Sequence, residues 1–173
     1  MPTIDVGGVE KNFIIISNYL SQKFDKINVI TTSTSKRKQF SKKIKFDSFK
    51  IKFIEKLPRR LKFFIGLLIL AKQLIRNKNN LVISFQANVY CVYLCKLLNS
   101  KVIVRSNTSP TNWSKNIFKN LIYKNALSIS DALIVNSYEF KNLIKKKFNI
   151  KSTCIYNPLN KNEILDKSKK KIN

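Results

Sequence analysis

Pro2-Thr-Ile-Asp-Val-Gly7-Gly8-Val9-Glu10-Lys11 runs from a β-branched extended piece through paired glycines straight into an amphipathic segment. Where a strand end swings into a helix, glycine permits the positive φ or tight turn that other residues resist. It also removes the side chain that would hold a ligand's phosphate away from the backbone. A helix starting here directs free N–H groups, and the positive end of its dipole, at whatever lies over Gly7 and Gly8. A bare Gly-Gly is an ordinary turn by itself. The chain behind it gives the pair its meaning.

Val9, Phe13, Ile16, Leu20 and Phe24 recur at four- and three-residue steps, one face of a helix. Residues 27–32 read as a buried strand and 33–43 as a basic loop, with an edge strand predicted over 45–53. Pro58 stands where a helix can begin. Arg59–Arg76 is predicted helical, with Phe64, Leu67, Leu68, Ala71, Leu74 and Ile75 as its core stripe. Its centre is apolar nearly all round, while Arg59, Arg60, Lys62, Lys72 and Arg76 gather toward the ends. Two readings follow: a helix packed between a sheet and its neighbours, or an interfacial helix whose basic ends reach lipid head groups.

Further on, strands are predicted over 81–85, 101–105, 132–135 and 153–156, and helices over 88–98, 116–127 and 137–148. Ser137 is placed to cap the last helix, and Glu139 puts an acid in its first turn. Short strands alternating with helices indicate βαβ units: an α/β, Rossmann-like fold with a mainly parallel sheet and helices on both faces. Residues 1–160 are assigned to one domain. The polar, Lys-rich residues 161–173 read as a tail or the start of an interdomain linker.

The 173 residues suffice for one domain with a sizeable core. A net charge of +25 admits a polyanion partner, nucleic acid or an anionic membrane surface, or a Lys-rich codon bias. Cys91, Cys95 and Cys154 form no disulfide framework and suit a reducing cytoplasm. Without histidine or a Cys-x-x-Cys pair, no metal site is expected. No secretory signal is read at the N-terminus, and the longest apolar run, 63–71, is too short to cross a bilayer. The chain therefore reads as cytoplasmic or peripheral on a membrane's inner face.

In parallel sheets ligands bind outside the carboxyl ends of the strands. Gly7-Gly8, Thr31-Thr32, residues 84–86, residues 105–107 and Asn136-Ser137 are the polar groups predicted there.

At this point the residues resemble glycosyltransferase family 4, specifically the N-terminal half of its two-domain GT-B fold. Residues 2–11 are similar to the family's strand ending and Gly-Gly-x-Glu helix entry, and residues 81–110 to its central strand–helix–strand. Residues 131–160 are similar to its strand, Ser-x-Glu helix start and strand closing on Asn-Pro. The resemblance implies retaining transfer of a sugar from a nucleotide-sugar donor to a glycan or lipid-linked acceptor, with no cofactor or metal. It implies a role in cell-surface polysaccharide or lipopolysaccharide synthesis. Gly7, Gly8 and Glu10 would bind donor phosphate or acceptor, and Gln86, Arg105 and Asn107 would line the acceptor side. A sugar leaving a diphosphate passes through an oxocarbenium-like state, so donors facing the leaving phosphate must strengthen as its charge grows.

The family's histidine near residues 101–105 is absent, and Asn107 stands in its place. Asn orients a hydroxyl but exchanges no proton, so no general base is assigned. The family's paired glutamates, eight apart in the second domain, have no counterpart. The first strand reads as truncated, and the expectation is a fragment inactive without a separate donor-binding domain. Against a nucleic-acid module, the basic residues are dispersed and the aromatics sit at core-like positions. A Rossmann oxidoreductase needs Gly-x-Gly-x-x-Gly, which the chain lacks. A membrane-surface scaffold remains the weaker alternative.

Overall fold

A computed structural model describes residues 1, 3–4, 7–33, 35–48, 57–77, 79–86, 88–107, 116–159, 164–165 and 168–169. Its strands are β1 (Asn28–Ile30), β2 (Lys45–Asp47), β3 (Leu81–Ser84), β4 (Lys101–Ser106), β5 (Ala132–Val135) and β6 (Thr153–Cys154). Its helices are α1 (Gly8–Leu20), α2 (Arg59–Arg76), α3 (Asn88–Leu97), α4 (Ile117–Ile129) and α5 (Tyr138–Phe148).

Strands β3, β4, β5 and β6 pair in that order and all in parallel, while β1 and β2 form a second parallel pair. Met1, Thr3 and Ile4 lie between the two groups. The Met1 amine donates to the Ile30 carbonyl at 2.9 Å, and Ile4 packs with Val29, Ile83 and Phe85. These residues stand between β1 and β3, the place of the switch point in a doubly wound sheet.

Alternate residues of the strands feed two cores, as the period of two requires. On one face Val82, Val102, Val104, Leu133 and Val135 meet Leu70 and Leu74 of α2, Val92 and Cys95 of α3, Ala126 of α4 and Ile144 of α5. On the other, Ile83 and Phe85 join Ile4, Val29 and Phe13 of α1, whose ring meets those of Phe40 and Phe85 edge-on. A fully buried Val or Ile contributes roughly 1.5–3 kcal/mol by leaving water. Helices therefore cover both faces, as the alternation predicts. Cys91 and Cys95 are both buried, as their four-residue spacing implies.

Three local expectations change. Helix α2 buries Gly66, Ile69, Leu70 and Leu74 and turns Phe64, Leu68 and Ile75 to solvent. A helix apolar on every side carries no periodic signal for which face is inward. Phe24, assigned to the α1 stripe, lies past that helix's end and is exposed. Among its described residues the basic stretch 33–43 is a loop as read. It contains a 3₁₀ turn at Arg37–Gln39, and Arg37 donates to the carbonyls of Phe40, Ser41 and Ile44 at 3.3, 3.2 and 3.0 Å. The strand expected over 45–53 is observed as Lys45–Asp47 at the sheet edge, and residues 49–53 lie outside the described residues. Most of the tail predicted from residue 161 also lies outside them.

With so few glycines, asparagine makes the left-handed stops: Asn99 after α3 and Asn149 after α5 have φ of 51° and 57°. Ser137 caps α5 as read, its hydroxyl accepting the Phe140 N–H at 3.1 Å.

Candidate active-site edge

Helix α1 begins at Gly8 with Gly7 as its N-cap. The backbone at Gly7 is extended, φ 179°, and no glycine has a positive φ, so the left-handed freedom expected there is not used. The need is spatial. A Cβ on Gly7 would overlap the Glu10 carboxylate, which folds back over the start of the helix, whereas Gly8 faces open space. Lys11 is the residue whose N–H bonds the Gly7 carbonyl, at 3.1 Å. The N–H groups before it in the helix have no intrahelical acceptor.

Glu10 is fixed from across the sheet. Gln86, just past β3, donates through Nε2 to Glu10 Oε1 at 3.2 Å, and Gln86 Oε1 accepts from the Thr3 hydroxyl at 3.2 Å. One amide thus spans the switch point and joins the N-terminal residues, the end of β3 and the first turn of α1. Beneath it, the Ser84 hydroxyl shares its proton between the Gln86 carbonyl (2.9 Å) and Asn88 Oδ1 (2.8 Å). Asn88 Nδ2 donates to the Arg105 carbonyl at 3.2 Å, coupling the ends of β3 and β4.

Arg105 belongs to a different cluster. It is 2% exposed, and its Nη2 donates to the Ile155 carbonyl at 3.2 Å and to Asn157 Oδ1 at 3.0 Å. Burial holds its pKa below the ordinary guanidinium value. Its side chain secures the segment leaving β6. Two amide oxygens, Asn107 Oδ1 after β4 and Asn136 Oδ1 after β5, are buried without a hydrogen-bond partner, as is Arg105 Nε. Ser106 pairs with Val135, so the two asparagines follow the last paired residues of adjacent strands. Buried polar atoms are seldom left unpaired, and such a pair at a sheet's carboxyl edge is where a ligand's hydrogen-bond donor fits.

The structure therefore brings Gly7, Gly8, Glu10 and Gln86 together and sets Arg105 and Asn107 further along the same edge. Thr3, Asn88 and Asn157 were not singled out from sequence as parts of this edge. The alternation Ser84-x-Gln86-x-Asn88 was the available signal for Asn88. No local pattern marks Asn157 as the partner of a residue 52 positions away.

The glycosyltransferase family 4 model matches residues 6–163. The chain belongs to that family. The fold is also seen in solved structures, of which 23 chains match. One is a ugt transferase from Siraitia grosvenorii, solved in complex with UDP. The match has a TM-score of 0.52 at 10% identity and covers 90% of this chain and 49% of that one. This chain thus spans about half the length of that protein's chain. No curated protein matches the sequence. The family 4 chain has, among its described residues, no helix long and apolar enough to cross a membrane.

Proposed function

We propose that this chain forms the acceptor-side half of a glycosyltransferase that moves a sugar, with retention, from a nucleotide-sugar donor to a glycan or lipid-linked acceptor. The observation that carries the reading is the Thr3–Gln86–Glu10 bridge lying against the open N-terminus of α1 at the sheet's switch point. The N–H groups at Gly8 and Val9 are the donors for the leaving diphosphate, and they gain strength as its charge develops. Glu10 and Gln86 accept and donate to sugar hydroxyls, and Asn107 and Asn136 extend that row along the edge. Arg105 acts as a positioning residue for the segment that leads out of β6. The UDP bound by the Siraitia transferase supports a nucleoside diphosphate as the donor's leaving group.

Most of the donor's contacts lie on a second domain in this reading, and no metal is required, because N–H groups neutralise the leaving phosphate. The chain alone then turns over no nucleotide sugar. Joined to a donor-binding half, it transfers sugar at a rate that Gln86→Ala lowers by about tenfold, the scale of one lost hydrogen bond of about 1.4 kcal/mol. The assay is release of nucleoside diphosphate from a panel of nucleotide sugars, with and without that half. Turnover by the isolated chain, or an unchanged rate in Gln86→Ala, contradicts the assignment.

A further inference from the structure

The four-stranded sheet has a second edge, at the amino ends of its strands, where the chain enters rather than leaves. Between the turns that lead into β5 and β6 this edge holds a cavity of about 450 Å³, lined by residues 127–128, 130–133 and 149–153. That volume lies in the range of small-molecule sites. The four residues of β5 separate it by roughly 13 Å from Asn136 at the opposite edge. It is therefore distinct from the start of α1 and from the row of Asn107 and Asn136.

One lining residue stands out. Ser152 is 7% exposed, and its Oγ is buried with no hydrogen-bond partner. An isolated buried hydroxyl is costly, and the cavity that Ser152 lines is where a partner can enter. The other polar groups are partly committed, and what they leave over decides the ligand. Ser128 and Ser130 donate to the Asn125 and Leu127 carbonyls at 2.8 and 2.7 Å, so toward a ligand their oxygens accept. The bonds from Lys96 and Val102 to Asp131 both end on Oδ2, which leaves Oδ1 to accept. Asn149 takes the Lys145 ammonium on Oδ1 at 2.6 Å, which leaves its Nδ2 to donate. Lys151 is a further donor.

Charge narrows the choice. The chain has 34 Lys and Arg against nine Asp and Glu, yet this lining holds one of each sign, Lys151 and Asp131. Helices α4 and α5 both end here, and their last carbonyls carry the negative ends of the helix dipoles. An anion is not favoured in such a place, and a cation would meet Lys96 and Lys151. Accepting groups stand beside donating ones, with Ala132 and half-buried Ile150 as an apolar wall. That mixture fits a ligand whose hydroxyls both donate and accept: a neutral carbohydrate.

We infer that this cavity is a second saccharide site, separate from the edge proposed to carry transfer. A glycan held there leaves the transfer edge free. Binding needs neither Gln86 nor the start of α1, so it stands whether or not the transfer reading does.

The test is titration of the ¹⁵N-labelled full chain with glucose, galactose, N-acetylglucosamine and cellobiose, each to about 50 mM, followed by two-dimensional NMR. At least one of these sugars should give saturable shifts at the Ser130, Asn149 and Ser152 amides. Sugar bound at the transfer edge is read separately, at Gly8, Val9 and Gln86. Ser152→Ala should weaken binding at the cavity about fivefold, the scale of one hydrogen bond. Its urea midpoint should be no lower than the parent's, because the hydroxyl it removes has no partner to lose. Asn149→Gly, which accepts the left-handed backbone at φ 57°, should weaken binding to a similar extent. Inorganic phosphate and protonated glucosamine should give no saturable shifts at these amides. The proposal is overturned if none of the four sugars saturates them, or if phosphate or glucosamine does. Unchanged binding in either variant, or a lower midpoint in Ser152→Ala, overturns it as well.

Discussion

Gln86 Nε2 lies 3.2 Å from Glu10 Oε1, joining the end of a strand to the first turn of a helix 76 residues earlier. The same amide takes the Thr3 hydroxyl on its other side. Gln86→Leu removes both bonds at similar volume and leaves two part-buried groups to find new partners. We expect a loss of about 1–3 kcal/mol, read as a lower urea midpoint with unchanged slope. Gln86→Glu should be worse than Leu at neutral pH, because it faces Glu10 with a like charge.

At Gly7 the argument is space rather than backbone conformation. Gly7→Ala suits the extended φ but pushes the Glu10 carboxylate off Gln86. Stability should change by less than about 1 kcal/mol, since the obstacle is the end of a flexible side chain. The Gln86 side-chain amide resonances should nevertheless move as far as they do in Glu10→Ala.

Asn157 is predicted to matter more than its exposed position in a loop suggests. Asn157→Ala takes one acceptor from a buried guanidinium whose Nε already lacks a partner. A bond to a charged group accounts for about 1.5–3 kcal/mol, which chemical denaturation should recover. Hydrogen exchange at Ile155 and Tyr156 should quicken as well, because Arg105 no longer holds the segment at two points.

Asp131 supplies a pH signature. It accepts from the Lys96 ammonium and the Val102 N–H, both at 2.7 Å, and these hold its pKa below the ordinary carboxylate value. A folded pKa lower than the unfolded one stabilises the protein above about pH 4, and the contribution is lost as pH falls through the folded value. The pair is exposed, so the ionic part is small; the lost acceptor for Val102 dominates. Asp131→Ala should cost about 1 kcal/mol at pH 7 and progressively less toward pH 2, measured by thermal unfolding across that range.

The alternation of strands and helices, the cap at Ser137 and the polar carboxyl edge could all be read from the chain, because each has a local physical cause. Helix α2 could not be oriented that way. Phe64 and Leu74 are both large and apolar, and nothing in their spacing says that one is exposed and the other 1% accessible. Leu74→Ala should therefore cost about 2–5 kcal/mol, while Leu68→Ala stays within about 0.5 kcal/mol of the parent. At the site, the glycines and Gln86 stood out by type and place. The bonds that join Gln86 to Glu10 and Arg105 to Asn157 depend on strand order, which brings residues 76 and 52 positions apart into contact. Arg105, expected on the acceptor side because it stands near a strand's end, donates through its side chain to Ile155 and Asn157, just past β6.

The central claim is that the start of α1 and Gln86 form one binding edge for a nucleotide-linked sugar. Titration of the ¹⁵N-labelled chain with UDP, followed by two-dimensional NMR, tests it most directly. The account predicts saturable shifts at the Gly8 and Val9 amides and the Gln86 side chain. It also predicts roughly two- to fivefold tighter binding in Glu10→Gln, where a like charge leaves the helix terminus. Saturable shifts confined to other residues, or none at Gly8, Val9 and Gln86 at millimolar UDP, would contradict it.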